Sequence, residues 1–265
     1  MKPFYFLIVS AFFIGCQKTT FADNISLVFP KNTKMKIQEF NEGGNESGTN
    51  LLYIGKIKPN IDIKYFSTIL QEPPPPPKFK EKTEDYERRI KKTEDSVKHS
   101  KNLYFRTESI KIFDGKEISF MDSLSNKNLE IIVKENDTIP LYKRDYDTKE
   151  IKRYKAFPVF IKNISGKVLK IPEEFNDVVF YFKNNKKQYQ FLRNSNYMIC
   201  GGTGTITFPY FELKPNEILI FAYPYFKKGG NRKAKVIFYN AFSKEFNISI
   251  DENIIKNQRD TRILK

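Results

Sequence analysis

The feature that most constrains this fold is a series of short apolar and aromatic segments, separated by turn residues, in residues 155–251. Residues 158–163 lead through Ser165-Gly166 into residues 168–171, which predicts a strand, a tight turn and a second strand. Further strands are predicted at residues 178–182, 188–192, 205–211, 218–223, 234–239 and 245–250. Short strands at this spacing are typical of an antiparallel β-sandwich. We therefore predict a mainly β protein with an antiparallel sandwich in its C-terminal half.

This pattern resembles the immunoglobulin-like sandwiches of bacterial envelope proteins, above all in residues 158–171 and 211–221. True immunoglobulin domains carry a cysteine–tryptophan–cysteine signature, whereas this chain has no Trp. The resemblance therefore implies a fold, and it implies no binding site and no partner.

Residues 25–150 form a second predicted β-rich region, which is interrupted by two unusual segments. Its candidate strands are residues 25–29, 35–40, 51–57, 104–113, 117–121 and 129–133. Five consecutive prolines at residues 73–77 predict a stiff polyproline II segment, and the charged residues 78–101 after it predict a single helix. At the other end of the chain, residues 252–265 are expected to form a basic tail.

The predicted helix carries a narrow apolar stripe among many charges. Glu84 and Arg88 are one of several favourable pairs four residues apart, which supports a helix with one solvated face. A narrow stripe adds little to a large core, so the helix either leans on the sheet as an insertion or contacts a partner. Phe79, Tyr86 and Ile90 are therefore the candidate partner-binding residues.

The first sixteen residues have the composition of an export signal. Lys2 precedes an apolar run at residues 4–15, which is too short to cross a bilayer and is followed at once by polar residues. Phe13-Ile14-Gly15-Cys16 resembles the lipobox of bacterial lipoproteins. That resemblance implies a signal peptide at residues 1–15, lipids on the sulfur and the new amine of Cys16, and a lipidated tether at residues 16–24. Such an anchor would be effectively permanent, because each buried methylene contributes about 0.8 kcal/mol.

The residue after the cysteine bears on location. Gln17 stands where Asp would retain many lipoproteins at the inner membrane, so the sequence resembles those sent to the outer membrane. We therefore expect a lipid-anchored protein of the cell envelope, at the outer membrane. Some bacteria display lipoproteins on the cell surface with a signal of Lys and acidic residues just after the cysteine. Gln17-Lys18 resembles that signal but Thr19-Thr20 lacks its acidic part, which leaves periplasmic and surface orientations both open. An ordinary secretory leader with a coincidental Cys16 is the alternative.

The sequence has few of the residues that catalysis uses. His99 is the only histidine, and no Ser-x-x-Lys, Gly-x-Ser-x-Gly or P-loop motif occurs. Cys200 has no partner for a disulfide once Cys16 is lipidated. The adjacent carboxylates Glu173-Glu174 and Asp251-Glu252 are interpreted as loop solvation, because neighbours in sequence tend to face opposite ways. We predict that the protein is not an enzyme and binds no cofactor and no metal.

The partners are suggested by charge and by aromatic residues. The net charge is +15, but only nine of the 46 basic residues are Arg and the lysines are scattered, which argues against nucleic acid. A lysine-rich face toward anionic lipid or glycan remains open. Tyr197 and Tyr210 flank the glycine-rich residues 201–205, which favour a turn over a nucleotide site, and are the candidate glycan-binding residues, expected to be exposed.

Two function classes follow from the sequence. The first is a non-enzymatic lipoprotein that binds a protein, as an adaptor, an assembly accessory or an immunity-type protein. The second is a lipoprotein that binds a glycan or another surface polymer. Removal of residues 78–101 should abolish binding only in the first class.

Overall fold

The computed structural model describes residues 19–30, 34–63, 76–104, 124–145, 147–172, 178–196 and 210–264. Within these residues the chain is mainly β, as predicted, with antiparallel sheets and two α-helices. The strands are β1 (Ser26–Val28), β2 (Glu46–Ser47), β3 (Leu51–Lys56), β4 (Asn60–Asp62), β5 (Leu129–Val133), β6 (Ile139–Asp145), β7 (Ile151–Asn163), β8 (Leu169–Pro172), β9 (Val179–Lys183), β10 (Tyr189–Leu192), β11 (Tyr210–Leu213), β12 (Glu217–Pro224), β13 (Gly230–Phe238), β14 (Ala241–Phe242) and β15 (Phe246–Ile250). The helices are α1 (Thr83–Tyr104) and α2 (Glu252–Lys256).

The first sheet, here called the large sheet, joins strands from distant parts of the sequence. Its order in the described residues is β2-β6-β7-β12-β3, and β5 also pairs with β7. β7 is long enough to pair with β6 through its first half and with β5 through its second half. Strands from the predicted regions 25–150 and 155–251 therefore share one sheet.

The second sheet, here called the small sheet, packs against the large sheet. Its order in the described residues is β10-β9-β13-β14, with β15 paired to β13. Side chains of the two sheets meet in one core, where the rings of Phe221 and Phe238 lie 5.7 Å apart and those of Phe180 and Tyr223 lie 5.3 Å apart. Two packed antiparallel sheets with alternating inward side chains make a sandwich-like fold.

A further layer covers the opposite face of the large sheet. β1 and β4 form a parallel pair, and residues 20–29 and 60–63, here called the N-terminal layer, pack there on Phe160, Ile218 and Ile220. Successive residues of β12 alternate between this layer and the core because a strand has a period of two. The molecule is thus ordered as N-terminal layer, large sheet, core and small sheet.

The folded body begins closer to Cys16 in sequence than expected. Residues 19–24 were assigned to the tether, but Ala22 is 3% exposed and packs in the N-terminal layer. Asp23 accepts a hydrogen bond from Lys134 and another from the backbone N–H of Thr20. These residues belong to the folded body.

Several predicted boundaries and elements differ from those in the structure. Tyr104 ends α1, although it was predicted to begin a strand. The segment 252–265, predicted as a basic tail, contains α2, and Ile263 forms an antiparallel bridge with Gln190 of β10. β6 was missed because Pro140 and its charged residues hide the strand pattern. The predicted strand at residues 117–121 lies outside the described residues.

Candidate functional site

The three candidate partner-binding residues do not form one helical stripe. Phe79 precedes α1, which begins at Thr83, and its side chain is 93% exposed. Tyr86 and Ile90 lie in α1 and are half-buried, and the guanidinium of Arg89 lies 5.3 Å from the centroid of the Tyr86 ring. The expected stripe is therefore wrong for Phe79, although its exposure suits a contact residue.

Tyr210 contradicts the expectation that it is exposed. It is the first residue of β11, pairs with Pro172 of β8, and is 2% exposed. The ammonium of Lys170 lies 4.8 Å from the centroid of its ring. A ring buried in this way cannot stack on a sugar. Tyr197, Cys16, Cys200 and residues 201–205 lie outside the described residues.

The adjacent carboxylates Asp251 and Glu252 are not free loop residues. Asp251 caps α2 by accepting a hydrogen bond of 2.8 Å from the backbone N–H of Asn253. Glu252 pairs with Arg232. The other pair, Glu173-Glu174, lies outside the described residues. In the part of the chain that the structure describes, no group of three or more His, Cys, Asp or Glu side chains could hold a metal ion, and neither helix is long and apolar enough to cross a membrane.

Aromatic and basic side chains gather on the outer face of the small sheet. Phe180 and Phe182 of β9 point into the core, so Tyr181 and Lys183 between and beside them point outward. The same alternation holds in β10 and β13. The outward side chains of this group, here called the aromatic–basic face, are Tyr181, Lys183, Tyr189, Phe191, Arg193, Lys233, Lys235, Phe242 and Arg262.

Strand register arranges this face in rows. Lys235 lies opposite Tyr181, and Tyr181 lies opposite Phe191, with the two rings edge to face at 5.7 Å. The C-terminal residues extend the row, because the backbone N–H of Phe191 donates to the carbonyl of Arg262 at 2.9 Å. Four neighbouring chain segments at a strand spacing of about 4.8 Å make a row about 15 Å wide.

The cations of the face lie over its rings. The ammonium of Lys235 is 4.7 Å from the centroid of Tyr189 and 5.3 Å from that of Phe242. The guanidinium carbons of Arg193 and Arg262 lie 4.7 Å and 4.8 Å from the centroid of Phe191. Each such contact at an exposed site contributes about 0.5–1 kcal/mol. The rings therefore hold the cations in position, and Phe191 is buried beneath two of them.

Two carboxylates partly neutralise the face. Asp260 forms an ion pair of 2.8 Å with Arg262. Glu245 accepts a hydrogen bond from the hydroxyl of Tyr189 and lies 3.4 Å from the ammonium of Lys233. The hydrogen bond from Tyr189, opposed by desolvation, lowers the pKa of Glu245, so this carboxylate stays charged at neutral pH. Desolvation and the same hydrogen bond raise the pKa of Tyr189.

The remaining cations form no ion pair with a described carboxylate, although the charge of Arg193 contributes to lowering the pKa of Asp260. In the described ranges, Arg193 and Lys235 have no carboxylate within ion-pair distance. Five basic side chains and two carboxylates leave an excess of three positive charges on this face. The arrangement presents positive charge and partly exposed aromatic rings on the outer surface of the small sheet.

A second polar cluster lies at one edge of the large sheet. Glu46 is almost fully buried, accepts a hydrogen bond from the hydroxyl of Tyr154 and lies 3.1 Å from the ammonium of Lys152. Lys152 also bonds Asp145 at 2.8 Å, which lowers the pKa of Asp145. Burial, together with Glu46, raises the pKa of Tyr154. Apart from Oε2 of Glu46, which has no hydrogen-bond partner among the described residues, these groups satisfy one another, so the cluster holds β2 on the sheet.

Sequence reasoning missed the aromatic–basic face, although part of the signal was visible. Tyr181 and Lys183 alternate with the core residues of β9, and Tyr189 and Phe191 do the same in β10. Alternation shows that such side chains share a face of their own strand. It does not show that β9, β10 and β13 are neighbours, which requires the sheet order.

A scan against protein-family models, a search of curated proteins and a search of solved structures each found no match to this chain. Its function is therefore inferred from its own surface chemistry. The two surface features that bear on it are the aromatic–basic face and the exposed ring of Phe79.

Proposed function

We propose that this protein is a lipid-anchored lipoprotein of the cell envelope, at the outer membrane, that binds a protein partner and carries out no catalysis. The aromatic–basic face is the single observation that carries the proposal. Tyr, Phe and Arg are enriched in protein interfaces, and Tyr and Arg are prominent among the residues that dominate their binding energy. Toward that partner the protein would act as an adaptor, an assembly accessory or an immunity-type protein.

The anchor is supported by the position of the N-terminal layer. Residues 17 and 18 stand between Cys16 and Thr19, where the described chain begins, and three such residue steps span at most about 11 Å. Lipids on Cys16 would therefore hold the N-terminal layer close to the membrane. Substitution of Cys16 by Ala is expected to move the protein from the membrane fraction to the soluble fraction. An unchanged membrane fraction would contradict lipidation.

Capture from gently crosslinked cells tests the protein-binding function. The lipidated wild type is expected to retain one stoichiometric protein, and the double variant Arg193→Gln/Lys235→Gln is expected to lose most of it. The variant Phe79→Ala tests the turn before α1, where 93% exposure makes this ring the second candidate surface. Loss of the partner in Phe79→Ala alone would move the interface to that turn. A wild type that retains no protein would contradict the function.

The alternative class is a binder of glycan or surface polymer, and the clustering of Tyr and Lys on one face is what favours it. Sugars stack on bare aromatic faces, whereas Phe191 is 3% exposed beneath Arg193 and Arg262, and Lys235 lies over Tyr189. Polysaccharide in the eluate without a consistent protein would support this alternative.

A further inference from the structure

We infer that the aromatic–basic face binds an acidic, extended segment of a protein, with Arg193 and Lys235 as the carboxylate-binding residues. This inference rests on the proposed protein-binding function and names the chemistry of the partner.

The charge of the face defines the complementary group. Arg193 and Lys235 are the cations that lack a carboxylate within ion-pair distance in the described residues, and the face as a whole carries an excess of three positive charges. A partner that supplies carboxylates would complete this balance. Complementary charge of this kind speeds encounter and selects against basic partners.

Preorganisation favours these two side chains as anchors. A long basic side chain normally loses rotamer freedom when it binds. Here the ring of Phe191 already holds the guanidinium of Arg193, and the rings of Tyr189 and Phe242 hold the ammonium of Lys235. The entropy lost on binding a carboxylate is correspondingly smaller. Phe242, which is 49% exposed, adds apolar area beside the charge.

The spacing of the cations suits an extended chain. Lys235 is level with Phe191 two strands away, and Arg193 lies two residues beyond Phe191, so strand geometry places the Cα atoms of Arg193 and Lys235 roughly 12 Å apart. Carboxylates four positions apart in an extended peptide are separated by about 13 Å. An acidic segment with alternating Glu residues can therefore meet both cations.

The layer order argues against the anchoring membrane as the occupant. The N-terminal layer, which the lipid on Cys16 would hold near the bilayer, covers the side of the large sheet that faces away from the core. The aromatic–basic face is the outer surface of the small sheet, beyond the core. With layers packed about 10 Å apart, the face lies roughly 20 Å from the N-terminal layer and on the opposite side of the molecule.

Binding of a defined acidic peptide tests the inference. The probe is a ten-residue peptide in which Glu alternates with Ser, titrated into the full mature protein in detergent and followed by fluorescence anisotropy. We expect Arg193→Gln and Lys235→Gln each to weaken binding about threefold, and the double variant about tenfold. Higher salt should weaken binding of the wild type further, because exposed charges are screened.

The matched control is Lys170→Gln. Lys170 also lies over a tyrosine ring, at 4.8 Å from Tyr210, but outside the aromatic–basic face. Its substitution should leave the affinity unchanged, and a peptide with Gln in place of Glu should not bind. Each substitution removes a cation–ring contact, so all variants should stay folded with a melting temperature only a few degrees below that of the wild type.

The opposing outcomes are distinct. Equal affinity in the wild type and the double variant, or no binding of the acidic peptide, overturns the inference. Preferential binding of polygalacturonate would show that the face binds an acidic polysaccharide. Preferential binding of phosphatidylglycerol vesicles would show that it binds lipid. Either result overturns the inference that a protein segment binds there. A cellular protein partner whose capture survives the double variant overturns the inference and leaves the proposed function standing.

Discussion

Glu46 shows how a charge is accommodated inside the large sheet. Its side chain is 2% exposed, and one of its carboxylate oxygens, Oε2, has no hydrogen-bond partner. A buried carboxylate costs several kcal/mol without a counter-charge. Lys152, whose ammonium lies 3.1 Å from Glu46, supplies that charge and links it to Asp145.

Removal of this counter-charge should destabilise the protein. We expect Lys152→Met to lower the free energy of unfolding by about 2–3 kcal/mol, because Glu46 is left buried without a cation. Urea denaturation at pH 7 measures the change. The control is Lys155→Met, an exposed lysine of the same strand, which should change stability by less than about 0.5 kcal/mol. Equal losses in the two variants would show that Lys152 contributes no more than a surface residue.

Acid should weaken the contact that fixes the N-terminal layer. The hydrogen bond from Lys134, followed by that from the Thr20 backbone, lowers the pKa of Asp23 from 3.8 to about 2. A folded pKa below the unfolded value means that this carboxylate stabilises the protein above about pH 4, and that the contribution is lost as the pH falls toward 2.

Substitution of Asp23 by Asn should therefore flatten the pH dependence of stability in that window. Urea midpoints at pH 5, 4, 3 and 2 measure it, and Asp62→Asn, at an exposed position of β4, is the matched control. If Asp23→Asn keeps the wild-type slope between pH 4 and 2, the contact does not stabilise the fold.

At the scale of single elements, α2 shows why a short helix is hard to predict from the sequence. Five residues are too few for a visible apolar stripe, so the sequence suggested only a basic tail. The structure adds the Asp251 cap and buries Ile254, which is 2% exposed. A cap and one buried side chain are enough to hold this short helix, because the neighbouring sheet supplies the apolar surface on which Ile254 packs.

Loss of the cap should be measurable. Asp251→Ala is expected to lower the free energy of unfolding by about 1 kcal/mol, because the backbone N–H of Asn253 loses its acceptor. Urea denaturation measures the loss, with the exposed Asp62→Ala as control. No difference between the two variants would mean that solvent replaces the cap without cost.

Strand prediction succeeded where a segment is apolar along its own length. β5 spans the predicted residues 129–133, and β9 and β12 differ from prediction by one residue at each end. Polar strands escaped notice, as β6 did, because their burial depends on neighbours across the sheet. The aromatic–basic face could not be predicted for the same reason, since Lys235 and Phe191 become neighbours only through the order of β13, β9 and β10.

At the scale of the whole molecule, the large sheet ties early and late segments together. β12 pairs with β3 on one side and with β7 on the other, and β7 pairs with β5 and β6. The core strands therefore depend on pairing over long sequence separations.

The fragment of residues 155–251 should accordingly not fold by itself. It lacks β3, β5 and β6, so β7 and β12 would pair only with each other and each would keep one unpaired edge. We expect a chain of residues 16–265 to unfold in one cooperative transition in urea, and the fragment to show none by near-ultraviolet circular dichroism. A cooperative transition in the fragment would establish an independent C-terminal sandwich.

The central claim is that the aromatic–basic face is where this protein would contact the proposed protein partner. Photocrosslinking in cells tests this most directly, with a benzophenone analogue of phenylalanine placed at position 242 or at position 79. Both native rings are exposed, at 49% and 93%, so the pair is matched in chemistry and differs in surface. The account predicts a crosslink to one protein from position 242 and none from position 79. A crosslink from position 79 alone, or none from position 242, would contradict it.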